Sequence, residues 1–194
     1  MFQSKVKSKF RILDFDIESR PLSYMGRDFT TSEITVIAAK FLDDDGEPDC
    51  WALGEVEPEE MLARFLEMYN DCGMVTGHYI RGYDLPRVNQ ALSEYGFAPL
   101  ETKLAHDTCL DLIKQQGFSK SQENLGELYE IDNPKVGMSQ NKWRNANRLK
   151  ISGIEMAKER AIGDVIQHIE LRQKLIDMKQ LGKPKLWSST TIGK

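Results

Sequence analysis

The sequence predicts an α/β domain built on a mixed sheet, and three observations predict it. "FRILDFDI" (10–17), "EITVIAAKFL" (33–42) and "DCWALG" (49–54) read as three strands in succession, the last two joined as a hairpin across the turn signal "DDDG". Beyond them, short apolar runs alternate with segments whose apolar residues recur at helical spacing. The chain shows no internal repeat and no low-complexity stretch. Three early strands followed by strand–helix alternation make a sheet with both parallel and antiparallel neighbours.

The remaining elements follow in order. "EPEEMLARFLEMYND" (57–71) carries Met61, Leu62, Phe65, Leu66 and Tyr69 at helical spacing, with Pro58 at its start, where a missing N–H costs least. "GMVTGH" (73–78) is a short buried strand, and "YDLPRVNQALSEYG" (83–96) a helix ending at Gly96. "TKLAHDT" (102–108) reads as a strand and "CLDLIKQQ" (109–116) as a helix. "SQENLGELYE" (121–130) opens with Ser then Glu, a capping-type start. Residues 131–152 read as loop, and 153–182 as one long helix with Gly163 as a mild internal flaw.

A chain of 194 residues suits a single domain, here taken as 1–182, followed by a basic C-terminal tail over 183–194 whose residues after Pro184 are expected to be disordered in the free protein. An apolar fraction of 40% and a charged fraction of 29% are those of a soluble globular protein. No apolar run reaches the roughly 18–20 residues of a membrane span, and the N-terminal lysines precede no apolar stretch of signal-peptide type. Three widely spaced cysteines, Cys50, Cys72 and Cys109, suggest neither a zinc site nor a disulfide framework; a reducing cytoplasm is the simplest location. The net charge of −4 argues against a basic nucleic-acid coat protein, yet not against a nuclease, whose site must itself be acidic. Charge is uneven along the chain. The acidic stretch from "DDDGEPDC" to "GEVEPEE" reads as a solvated turn and helix start. "NKWRNANRLK" (141–150), with Lys142, Trp143 and Arg144, interleaves cations with an aromatic, a pattern that suits phosphates and bases of a nucleic-acid strand.

"LDFDIESRP" (13–21) then raises a question, because Asp14, Asp16 and Glu18 fall inside a strand. Alternate strand residues share a face, so the three acids stand on one side. Neighbouring carboxylates resist ionising together, and a divalent cation removes that penalty; oxygen ligands suit Mg²⁺ or Mn²⁺. Taken singly, an acid pair at a strand end faces solvent, Asp84 in "YDLP" is an N-cap, and Asp164 in "AIGDVIQHIEL" is a polar residue flanking a buried helix face.

Together and in this order the three segments resemble the DEDD (DnaQ-like) 3′–5′ exonucleases of the ribonuclease H-like fold. "LDFDIESRP" is similar to the first motif of that family, "TGHYIRGYDLP" to the second and "AIGDVIQHIELRQKL" to the third, while "HDTCLDL" (106–112) sits where the family has a strand ending in D-T or D-L. The resemblance spans about residues 10–178 and suits a small stand-alone domain of bacteriophage type, which would act in the host cytoplasm. It implies a mixed sheet with helices on both faces. It implies hydrolysis of single-stranded DNA or RNA from the 3′ end to nucleoside monophosphates, with a replication or repair protein as an open partner. It also implies that Asp16, Glu18, Asp84 and Asp164 hold two divalent ions, about 3.5–4 Å apart in such sites.

Two positions depart from the family pattern. A Tyr four residues, or a His five residues, before the last Asp normally orients the attacking water; here those positions hold Arg160 and Glu159. The Asn that usually follows Gly-His is Tyr79. Arg160 is expected either to pair with a carboxylate in competition with metal or to bind phosphate, as its planar fork suits. His168, one turn beyond Asp164, is a candidate general base, as are His78 and, in a different helix register, Glu159; Tyr79 is a candidate base-stacking or water-contacting group. The alternative reading is a binding module on the same fold that grips nucleic acid without cutting. A ribonuclease H or resolvase-type endonuclease is a weaker third.

Overall fold

The computed structural model describes residues 10–22, 29–113, 117, 119–132 and 137–190. Six strands form one sheet in the order β3-β2-β1-β4-β5-β6. β1 (Ile12–Pro21) is central, antiparallel to β2 (Ser32–Phe41) and parallel to β4 (Met74–Gly77). β3 (Asp49–Ala52) extends the hairpin side; β5 (Lys103–Asp107) runs parallel to β4, and β6 (Lys185–Trp187) returns antiparallel to β5. The order and directions are those expected of a ribonuclease H-like mixed sheet.

The period of two along β1 divides the molecule. Leu13, Phe15 and Ile17 are buried against α1 (Pro58–Asp71) and α2 (Asp84–Glu94), where Met61, Leu62, Phe65, Tyr69, Leu85, Val88 and Leu92 complete the main core. Phe15 and Phe65 meet with ring centroids 5.0 Å apart. The opposite face is covered by α5 (Ile151–Asp177). There Ala157, Ala161 and Val165 pack on Val36, Ala38 and Ala52, small residues that bring the long helix close to the sheet. Asp14, Asp16 and Glu18 occupy the α5 side by the same alternation. The β1–β2 register shifts between Glu18 and Ser19, so that Glu18 faces Val36 and Ser19 faces Ile34. The extra residue, Thr35, is a β-bulge, a device that bends a strand and re-aims its side chains beside a site.

Four departures from the sequence expectation have physical causes. The segment 109–116 does not form the expected helix over its described part. Asp107 takes the N–H groups of Cys109 and Leu110, and Ile113 N–H then bonds the Gln180 carbonyl at 2.9 Å, so the chain leaves β5 in a turn and pairs with the segment after α5; residues 114–116 lie outside the described residues. The expected loop 131–152 contains α4 (Gln140–Asn147). Ser139 caps it, accepting from Lys142 N–H at 3.3 Å, and it packs on α5. Gly153 makes that packing close: a Cβ there would fall into the backbone of Asn145 and Ala146. α5 begins at Ile151 and ends at Asp177, where 153–182 was expected. The stretch after Pro184, expected as a loose tail, supplies β6; residues 191–194 lie outside the described residues. No helix among the described residues is long and apolar enough to cross a membrane.

Candidate metal centre

The strands open a crevice beside the acids of β1. β1 and β4 pair from Ile12/Met74 to Asp14/Thr76 and then part. Asp84, the first residue of α2, fills the gap: its Oδ1 accepts from Ile17 N–H at 3.2 Å, replacing a ladder partner. Gly77 allows the close approach at the end of β4, since a Cβ there would meet Ile80 and lie 2.9 Å from the Phe15 carbonyl oxygen. The loop between β4 and α2 is held by Asp107, which the sequence did not single out. Its Oδ1 accepts from Tyr79 N–H, Cys109 N–H and Leu110 N–H, and its Oδ2 from Arg81 N–H, all at 2.9–3.0 Å. Arg81 in turn binds Asp111 at 2.6 Å. The "HDT" ending of β5 is thus the anchor that sets Asp84 over β1.

Asp16, Glu18 and Asp164 converge across the crevice, each offering an oxygen within 4.8 Å of the others. Asp164 is buried on α5; Asp16 and Glu18 are half-buried. A trio of carboxylate oxygens suits a hard divalent cation, which satisfies several acids at once that would otherwise repel. Asp84 stands beside this group rather than within it. Burial first, then the charges of Asp107 and Glu18, push its carboxyl up to about 7, against the hydrogen bond from Ile17. Its ordinary value is 3.8, so the metal-free folded protein holds a proton that the unfolded chain releases. Stability therefore falls as pH rises from about 4 to about 7. Asp84→Asn keeps an acceptor for Ile17 N–H and removes the charge, so we expect a more stable metal-free protein at pH 8 with a flatter pH dependence. Urea denaturation at pH 5 and pH 8, in chelator, measures both.

Arg160 takes the slot one turn before Asp164 and enters the centre. Its Nε donates to Glu18 at 2.8 Å, and its Nη2 lies 3.6 Å from Asp164 Oδ2. Its guanidinium also sits 5.5 Å from the ring centroid of Trp143. Of the two expectations for Arg160, pairing with a carboxylate is the contact present. Trp143 packs against the α5-side core, Lys142 Nζ donates to the Gly137 carbonyl, and Arg144 is exposed. Of that trio, Arg144 is the exposed one. Tyr79 is also exposed, at a left-handed backbone position with φ 64°, next to the crevice.

His168 does not join the carboxylates. It is buried, its Nδ1 lies 2.6 Å from Asp14 Oδ2 and its Nε2 2.9 Å from Thr108 Oγ1. Asp14 likewise turns to His168 and not to the acidic trio, although the strand period puts it on the face of Asp16 and Glu18.

No family model matches the chain, and no curated protein matches it. Among solved structures, the fold is similar to that of the family B DNA polymerase from the hyperthermophilic archaeon Pyrobaculum calidifontis, with a TM-score of 0.64 and 15% identity over 87% of this chain. The chain spans 25% of that polymerase. At this identity the likeness establishes the fold alone, a six-stranded mixed α/β sheet.

Proposed function

We propose that the protein is a divalent-metal-dependent 3′–5′ exonuclease acting on single-stranded DNA or RNA ends. The observation that carries the reading is the convergence of Asp16, Glu18 and Asp164 within 4.8 Å where β1 and β4 part, with Asp84 bound to Ile17 N–H beside them. The fold shared with part of a DNA polymerase supports it.

Asp16, Glu18 and Asp164 would hold the metal, Mg²⁺ or Mn²⁺, and Asp84 would complete the donor set once ionised. Bound there, such ions supply an activated water and charge stabilisation for the leaving 3′ oxygen. The chain's own residues bring the substrate. Arg144 offers a charge for backbone phosphates and Tyr79 a ring face for a base. Arg160 already reaches Glu18 and Asp164, and leaving Glu18 for the scissile phosphate would exchange one anion partner for another.

A second reading rests on that same contact. Arg160 already neutralises Glu18, so a protein that grips nucleic acid without cutting is the alternative. End polarity and products separate the two. A 3′-labelled oligonucleotide with Mg²⁺ or Mn²⁺ should release labelled nucleoside monophosphate at once, while a 5′-labelled strand shortens in a ladder. Binding without release, on DNA and on RNA, would favour the binding module.

A further inference from the structure

The chain places a cation of its own inside the acidic centre and builds a seat for it. Arg160 Nε donates to Glu18 Oε1 at 2.8 Å, and Nη2 stands 3.6 Å from Oδ2 of Asp164, one turn along α5. The Trp143 ring covers the guanidinium at 5.5 Å. Trp143 comes from α4, and α4 is itself fixed at two points. Gly153 lets α5 meet the backbone of Asn145 and Ala146 closely. Arg20, two residues beyond Glu18 on β1, donates from Nη1 to the Asn147 carbonyl at 2.8 Å and from Nε to Glu33 at 2.6 Å. An exposed ion pair is weak because two long side chains must be ordered to form it. Arg160 is only 17% exposed and is held by Glu18, Asp164 and Trp143, so its guanidinium is ordered in advance.

Charge and donors then balance with one divalent ion. Asp16, Glu18 and Asp164, when ionised, carry three negative charges; Arg160 and a single divalent ion carry three positive ones. A second ion would stand against the guanidinium, like charge beside like charge, in a half-buried crevice. Among the described residues the three acids form one group able to hold a metal ion, and Asp84 stands beside it with Oδ1 on Ile17 N–H at 3.2 Å. Each carboxylate has two oxygens, so Glu18 can face Arg160 with one and the ion with the other.

We infer that Arg160 is a resident cation in place of one of the two divalent ions, so that the centre holds a single Mg²⁺ or Mn²⁺ beside a guanidinium that Trp143 positions. Its part in hydrolysis rests on the exonuclease reading; the count of ions does not. A phosphate at the centre would meet the guanidinium, a donor that suits it, where the resembling family offers a second ion. α4 thereby acquires a role at the site: it carries the ring that keeps Arg160 among the acids.

Equilibrium dialysis against Mn²⁺, with and without thymidine or uridine 5′-monophosphate, counts the ions bound per chain. Paramagnetic resonance reads whether they couple, as ions about 3.5–4 Å apart do. Asp16→Ala/Glu18→Ala gives the background of other surface acids, and circular dichroism checks the fold of each variant. We expect one uncoupled Mn²⁺ in the wild type, with nucleotide or without. Arg160→Gln should take a second, coupled ion, Arg160→Lys should return to one, and Trp143→Leu should admit the second ion in part. Two coupled ions in the wild type, or a single ion in folded Arg160→Gln, would overturn the inference and leave the exonuclease reading standing. The wild-type count decides even where Arg160→Gln does not fold. An unchanged count in Trp143→Leu would overturn the role of Trp143. No ion above background in the wild type would overturn the inference and the metal-dependent reading together. One ion in a wild type that cuts neither DNA nor RNA would overturn the exonuclease reading and uphold the count.

Discussion

Asp16→Ala is expected to abolish metal-dependent hydrolysis, by roughly 10³-fold or more, while leaving the fold intact. Asp16 shares the converging oxygens with Glu18 and Asp164, and losing several kcal/mol of transition-state charge stabilisation corresponds to about three decades in rate. The effect on stability should have the opposite sign. Three carboxylates gathered within 4.8 Å repel when no cation joins them, and Arg160 offsets that repulsion at Glu18 and Asp164. Removing Asp16 takes away like charge and no core packing, so the melting temperature in chelator should be unchanged or higher. In excess Mn²⁺ the order should reverse, because metal stabilises a folded state that retains its ligands. Thermal melts with and without Mn²⁺ separate a ligand from a merely structural acid.

Arg160 carries the second large effect. Its Nε occupies one oxygen of Glu18 at 2.8 Å, in a partly buried setting where charge-assisted hydrogen bonds are strong. A metal ion at the triad has to displace that bond or share the carboxylate with it. Arg160→Gln should therefore raise Mn²⁺ affinity by about tenfold or more, since a hydrogen bond to a charged group contributes about 1.5–3 kcal/mol. Titration calorimetry on the wild type and the variant measures it. Arg160→Tyr places the residue of the resembling family in the same slot and is expected to raise turnover. Lower turnover, with a raised KM for the oligonucleotide and unchanged metal affinity, would instead assign Arg160 to the scissile phosphate.

The sheet was largely legible because its signals are local. Alternation in "LDFDIESRP", the turn at "DDDG" and the helical spacing from Met61 to Tyr69 each fix an element without knowledge of its neighbours. α4 was not legible because it is polar almost throughout. Of "QNKWRNAN" only Ala146 is buried, so the apolar period that marks a helix is absent and the fit to α5 at Gly153 decides it. "CLDLIKQQ" failed in the other direction: its apolar residues have helical spacing and Asp107 caps its first N–H groups, but Leu112 pairs with Leu181 and Ile113 N–H bonds the Gln180 carbonyl, which draws the chain off the helical path.

The candidate centre was legible in its acids and not in their partners. The family resemblance singled out Asp16, Glu18, Asp84 and Asp164 and marked the position of Arg160; of the four acids, Asp16, Glu18 and Asp164 come together in the structure. The strand period alone could not tell that Asp14 belongs to His168 rather than to the trio of Asp16, Glu18 and Asp164, because that choice is made by α5 lying across the sheet. His168 looked accessible as the residue one turn beyond Asp164; its depth is set by Thr108, a residue with no signal beyond its place in "HDT". Long-range pairing of this kind, over 60 residues for Thr108 with His168, has no trace in local spacing.

The measurement that tests the central claim most directly is digestion of a 5′-labelled single-stranded oligonucleotide with Mg²⁺ or Mn²⁺, beside an Asp16→Ala/Glu18→Ala control shown to be folded. A ladder that shortens from the 3′ end, needs the divalent ion and is absent in the control is the result this account predicts. An intact strand with either metal, on DNA and on RNA, or a ladder undiminished in the control, would contradict it.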